Sequence, residues 1–97
     1  MLFNVRFVSY RSRRHAEVWG KRIARLRRDA FMTQEQFAQA IVDAGGGTVS
    51  LTRSSVANWE AGNYVPALRY RPLIANVLEQ DVRLLFEPLA EFDGQAA

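Results

Sequence analysis

Several residue types and patterns are absent from the sequence, and each absence excludes a class of protein or site. Cysteine is absent from the 97 residues, which excludes a disulfide framework, a thiolate zinc site and a cysteine nucleophile. The single histidine excludes a histidine-rich metal site, and no apolar run approaches the ~20 residues of a membrane span. No secretory cleavage pattern follows the first ten residues, which Asn4 and Arg6 interrupt. These absences predict a small cytoplasmic protein that is not an enzyme, binds no cofactor or metal and has no membrane segment.

Charge of both signs is present but unevenly distributed. Residues 1–28 carry nine cations and one anion, a net charge of +8, whereas residues 29–97 carry four cations and nine anions, a net charge of −5. All the cations except Lys21 are arginine, which favours forked contacts with phosphates and guanine edges. This pattern favours nucleic acid as a partner.

The hydrophobic pattern predicts an all-α domain of five short helices with an N-terminal extension. In residues 2–8 the alternation of Phe3, Val5 and Phe7 predicts a short strand. An apolar stripe at steps of three and four predicts a first helix from an N-cap at Ser12 to about residue 29. The predicted divisions are an arm or strand at 1–12, a domain at 13–87 and a tail at 88–97.

Capping residues predict the other four helices. Thr33 and Gln36 have the spacing of a capping box, so a second helix is expected at residues 34–44, followed by a flexible glycine-rich connection to about residue 51. Further helices are expected at residues 53–60, 72–78 and 82–86, the last capped by Asp81.

Several segments, taken in order, resemble a known family. They are Gly20-Lys-Arg-Ile-Ala-Arg-Leu-Arg27, Met32-Thr-Gln-Glu-Gln-Phe-Ala38, Thr52-Arg-Ser-Ser-Val-Ala-Asn-Trp-Glu-Ala-Gly62 and the downstream Pro66. Over about residues 20–86 the chain resembles the phage repressor/Cro (XRE-like) helix-turn-helix family. The connection over residues 42–50 departs from that pattern by about eight extra residues. The resemblance implies a λ-repressor-like fold and a small transcriptional repressor that acts in the bacterial cytoplasm, at the nucleoid.

The third helix has the side chains that such a function needs. Val56 and Trp59 share one face and are expected in the core, which leaves Arg53, Ser54 and Asn58 outward as the base-contacting residues. Arginine can bond guanine O6 and N7, and asparagine can bond adenine N6 and N7.

Contacts to the DNA backbone are expected from a wider set of residues. Thr52 and Ser55, near the start of the third helix, suit phosphate oxygens. The resemblance adds Gln34 as a phosphate clamp, Asn63 and Tyr64 as backbone contacts, and Arg69 as a basic residue that reaches the minor groove. It also implies that Glu60 pairs with Arg27 for structural reasons. Three arginines of the N-terminal arm are expected to wrap the duplex: Arg11, Arg13 and Arg14.

Alternatives remain open at this point. The leading hypothesis is a sequence-specific double-stranded DNA binder that recognises an operator and responds to no small-molecule effector. The runner-up is an antitoxin or protein-interaction module that uses the helices as a scaffold. A homodimer is possible, through Phe86, Leu89 and Phe92 or through the strand at residues 3–7; a monomer with a DNA-wrapping arm is the other possibility.

Overall fold

Five α-helices account for all the regular secondary structure that the computed structural model describes. It describes residues 2–88, and the side chains of residues 13–88. The helices are α1 (Leu2–Asp29), α2 (Gln34–Gly45), α3 (Arg53–Glu60), α4 (Arg71–Val77) and α5 (Val82–Leu85). The all-α, five-helix prediction is therefore confirmed. The bounds of α2 to α5 lie within one residue of those expected, and those of α3 coincide with them.

The predicted strand is wrong, because residues 2–8 lie in α1. Alternation over so few residues does not distinguish the two structures, since Phe3 and Phe7 also have the i, i+4 spacing of a helix face. A strand with no neighbour would leave its backbone groups unpaired, whereas a helix satisfies its own. No glycine or proline precedes Gly20, so no residue of either type interrupts a helix near Ser12. α1 is continuous across residue 12, where the arm was expected to end.

The helix starts are fixed by the capping residues. The Thr33 hydroxyl accepts a hydrogen bond from the backbone N–H of Gln36 (3.1 Å), and the Gln36 side chain accepts one from the N–H of Thr33 (2.9 Å). Thr52 caps α3 by accepting from the N–H of Ser55. Asp81 caps α5 in the same manner. The local sequence therefore dictates where α2, α3 and α5 begin.

Besides α2, which ends at the left-handed Gly46, three helices end in a residue with left-handed backbone. Gly62 has this conformation after α3 (φ +79°), but Phe31 (φ +59°) and Glu79 (φ +56°) adopt it after α1 and α4. At each end the next N–H bonds back to a carbonyl five residues earlier; that of Met32, for example, donates to Arg27 O. This pattern satisfies the orphan carbonyls of a helix end, usually with glycine in the left-handed position.

The core lies where α1, α2, α3 and α4 meet. Its members are apolar residues at helical spacing: Trp19, Ile23, Phe37, Ala38, Ile41, Val56, Trp59, Ile74, Ala75, Leu78, Leu85 and Phe86. Phe86 is therefore unavailable for the dimer patch to which the sequence assigned it; Leu89 and Phe92 lie outside the described residues.

α1 and α3 approach each other closely enough for backbone contact. A Cβ added to Gly20 would lie 2.2 Å from the backbone oxygen of Trp59. One turn earlier on α1, the Cα of Glu17 would lie 3.1 Å from a Cβ at Gly62. Two glycines thus let α1 cross the C-terminal end of α3 in direct backbone contact, which fixes the position of α3.

The long connection between α2 and α3 is held at both ends. Gly46 (φ +59°) and Gly47 (φ +90°) turn the chain after α2, and the Thr48 hydroxyl donates to Gly45 O at 2.7 Å. Near α3, the Tyr70 hydroxyl donates to the backbone oxygen of Ser50 at 2.8 Å. The extra residues are thereby tied to the segment that precedes α4.

The C-terminal end of α5 is held by side chains of α1. The Trp19 indole N–H donates to Glu87 O at 3.1 Å, and Arg22 donates to the backbone oxygens of Leu84 and Leu85. Nearby, the Arg71 guanidinium lies over the Trp19 ring, and burial lowers the pKa of Arg71. These contacts fasten α5 to the rest of the domain.

Candidate nucleic-acid interface

The surface of α3 presents the polar side chains that the sequence assigned to DNA contact. Arg53 and Ser54 are exposed, and Asn58 is half-buried at its edge, while Val56 and Trp59 are buried on the opposite face. Trp59 therefore belongs to the core and offers no surface on which a base could stack.

A buried ion pair supports α3 from behind. The Arg27 guanidinium donates to both carboxylate oxygens of Glu60, at 2.6 and 3.0 Å, and also to Met32 O at 2.7 Å. The two side chains are only 11% and 8% exposed. The hydrogen bond with Glu60 raises the pKa of Arg27 although burial opposes it. Arg27 therefore stays charged, and α1 is locked to the last turn of α3.

Gln34 connects the ion pair to Arg53 at the start of α3. The Gln34 amide donates to Glu60 Oε1 at 3.0 Å, and its oxygen accepts from Arg53 Nη1 at 3.1 Å. Arg27, Glu60, Gln34 and Arg53 thus form one hydrogen-bonded chain from the core to the surface, which we call the Arg27–Arg53 chain.

The second candidate base reader is held by different partners. Asn58 Nδ2 donates to Ser54 O at 3.0 Å, and Asn58 Oδ1 accepts from Asn63 Nδ2 at 2.7 Å. Asn63, expected as a backbone contact, is therefore engaged with Asn58 and orients its amide.

The remaining hydrogen-bonding capacity differs between the two candidate readers. A guanidinium has five N–H donors, and the bond to Gln34 uses one of those of Arg53, so a fork of two remains available. An amide needs one donor and one acceptor for an adenine edge. Asn58 retains only the second N–H and the second lone pair. Arg53 therefore keeps more spare donors than Asn58, which has one donor and one lone pair left for a base edge.

The other predicted backbone contacts surround this surface unevenly. The Thr52 hydroxyl and the N–H of Ser55 are engaged with each other in the α3 cap. Tyr64 and Arg69 are exposed in the segment between α3 and α4, and Arg69 lies 5.0 Å from the centre of the Tyr70 ring.

The arginines assigned to a DNA-wrapping arm lie on α1 instead. Arg13 is exposed and Arg14 half-buried, and the side chain of Arg11 lies outside the described residues. Arg13 is one helical turn before Glu17, which touches Gly62 at the end of α3. α1 has no break at these positions, and contact of these arginines with DNA stays a prediction.

Two features of this surface were missed from the sequence. The first is the bond between Gln34 and Arg53, which are 19 residues apart. The second is the bond between Asn63 and Asn58; two amides five residues apart across a helix end were its only indication. Among the residues with described placement, no group of three potential metal ligands occurs, and no helix is long and apolar enough to cross a membrane.

A family model gives a first classification of the chain. The model of the SP15 N-terminal domain matches residues 23–87, which is about two thirds of the sequence and includes most of the core and all of α2 to α5. The chain belongs to the SP15 N-terminal domain family. No curated protein and no solved structure matches it.

This match corrects the resemblance drawn from the sequence. The chain belongs to the SP15 N-terminal domain family and not to the phage repressor/Cro (XRE-like) family. The segments that suggested the phage repressor/Cro family contain a capping box, a buried tryptophan and the two residues of the Arg27–Glu60 pair. These are requirements for packing a short helix against its neighbours, so they do not by themselves identify a lineage.

Proposed function

We propose that this domain binds double-stranded DNA in a sequence-specific manner by placing α3 in the major groove. The simplest use of such binding is to regulate transcription by blocking access to a promoter. The proposal rests on the side chains of α3 and their support, and does not depend on the resemblance that the family match overturned.

The observation that carries the proposal is the Arg27–Arg53 chain. Arg53 is an exposed, forked donor, yet it is anchored through Gln34 to a buried ion pair. A solvated surface arginine loses side-chain entropy when it is ordered. An arginine that is already ordered loses less on binding, so the anchored position favours a specific contact.

The dimensions of α3 are compatible with the groove. An α-helix with its side chains is about 10–12 Å in diameter, and the major groove is about 12 Å wide. The exposed residues at the helix start, Arg53 and Ser54, would reach base edges first, and Asn58 would follow one turn later.

Contacts to phosphates would come from residues around α3. Gln34 keeps one amide N–H that Glu60 does not use, and the exposed Arg69 and Arg13 supply positive charge. Every phosphate that a cation neutralises adds about −0.9 to the slope of log affinity against log salt concentration. The two arginines would together give a slope of about −2, to which the neutral Gln34 adds nothing.

The experiment that tests the proposal compares two arginines that differ in their support. A duplex selected by the wild-type protein from random DNA is labelled, and its affinity is measured by fluorescence anisotropy at fixed salt. We expect Arg53→Ala to weaken binding by about 1–3 kcal/mol and to relax the preference at one base pair.

The matched control is Arg83→Ala. Arg83 is also exposed, but it lies on α5 and makes only a 3.7 Å ion pair with Asp81. Its loss removes the same charge and should change the affinity less than twofold. Equal effects of the two substitutions would show that binding is electrostatic only. If no duplex is enriched, DNA recognition by α3 is wrong and the interaction-module alternative becomes the better account.

A further inference from the structure

The turn between α1 and α2 exposes an aromatic side chain. Phe31 is 94% exposed, more than any other large hydrophobic residue in the described part of the chain. It also has left-handed backbone (φ +59°), a conformation that is costly for a bulky residue. Glycine would avoid both penalties, so the turn itself does not account for a phenylalanine at this position.

A groove with a mixed apolar and polar lining lies directly beside Phe31. The groove has a volume of about 340 Å³ and is lined by Leu26, Asp29, Ala30, Val77, Leu78 and Glu79, together with Gln80. Ala30 is the chain neighbour of Phe31, so the aromatic side chain and the groove share one surface. The exposure of Phe31 shows that its own ring does not occupy the groove. The groove is open to solvent on one side, and its volume exceeds the roughly 150 Å³ that is enough for benzene in a closed cavity. It therefore has room for a phenyl ring to lie against its apolar residues.

We propose that this domain self-associates by inserting Phe31 of one copy into the groove of a second copy. Because projection and groove are adjacent, a two-fold axis between them forms both contacts at once, as a closed dimer requires. The inference does not depend on DNA binding.

The charges around the contact are complementary in this arrangement. Asp29 and Glu79 line the groove, and Arg28 precedes Phe31 on the same turn. Arg28 forms no ion pair with any carboxylate among the described residues. In the two-fold arrangement the Arg28 of each copy approaches the acidic groove of the other, which discriminates against other apolar partners.

The expected dimer is weak. Two phenylalanines bury about 150–250 Å² each, and with the groove walls the total falls below the usual size of about 1,200–2,000 Å². We therefore expect dissociation constants of about 0.1–1 mM.

The test measures the mass of the full chain by sedimentation equilibrium at concentrations up to about 1 mM. We expect the wild-type mass to rise toward that of a dimer. Phe31→Ser should weaken association at least tenfold, and so should Ala30→Glu, which places a carboxylate in the groove. Both positions are exposed, so unchanged melting temperatures would verify folding. Leu84→Ser is the control, since it removes an apolar side chain that is 65% exposed on α5.

The same samples locate the contact. Amide NMR shifts recorded on dilution should change at residues 28–31 and 77–80 and not at α5. A wild-type protein that stays monomeric would overturn the proposal, as would a dimer that tolerates Phe31→Ser. Shifts confined to residues 2–12 or 89–97 would assign the dimer to those segments and would also overturn it.

Discussion

The buried ion pair between Arg27 and Glu60 gives the most quantitative prediction. Its side chains are 11% and 8% exposed, and they meet through two hydrogen bonds. Removing one partner of a buried pair leaves an uncompensated charge and costs about 3–5 kcal/mol. A domain of this length has a total stability of about 5–15 kcal/mol. We expect Arg27→Ala or Glu60→Ala to remove a large part of it.

A double-mutant cycle isolates the coupling. Urea denaturation of both single variants and the double variant should show a coupling of about 2–3 kcal/mol, because the second removal leaves no further unpaired charge. The control is the exposed pair Asp81–Arg83, separated by 3.7 Å, whose coupling should be below about 0.5 kcal/mol. Additive effects of Arg27→Ala and Glu60→Ala would refute the reasoning.

Three further substitutions test other parts of the fold. Gly20→Ala should destabilise by about 1–3 kcal/mol despite better helix propensity, because its Cβ would meet Trp59 O at 2.2 Å; a raised melting temperature would contradict the close crossing. Phe31→Gly should stabilise the monomer by about 0.5–1 kcal/mol, since relief of left-handed strain exceeds the entropy cost of glycine. A loss of stability in urea denaturation at low protein concentration would show instead that the ring packs on its own chain. Tyr70→Phe should cost about 0.5–1.5 kcal/mol by removing the bond to Ser50, and unchanged unfolding would show that this bond does not hold the connection.

The helices could be predicted wherever the local sequence decides the structure. Thr33 and Asp81 provide hydroxyl or carboxylate caps, and the apolar residues recur at helical spacing, so α2, α3 and α5 begin where expected. The strand predicted at residues 2–8 was wrong because the alternation of apolar residues there is also compatible with a helix. The choice between the two depends on whether a neighbouring strand exists. That information is not local.

The candidate site was predictable in its members but not in its connections. The outward positions of Ser54 and Asn58 follow from the inward positions of Val56 and Trp59, three residues apart on a helix, and Arg53 is exposed at the start of that helix. That Gln34 would join Arg53 to Glu60 could not be predicted, because it depends on how α2 crosses α3. The left-handed Phe31 was also missed, since sequence patterns lead one to expect glycine at such a helix end.

The central claim is that α3 reads DNA sequence through an anchored Arg53. Its most direct test is selection from a random DNA pool by the wild-type protein and by Arg53→Ala, followed by sequencing of the bound fraction. The account predicts a common motif for the wild type, containing a guanine whose preference disappears in the variant while the rest of the motif persists. The same motif from both proteins, or no motif from the wild type, would contradict it.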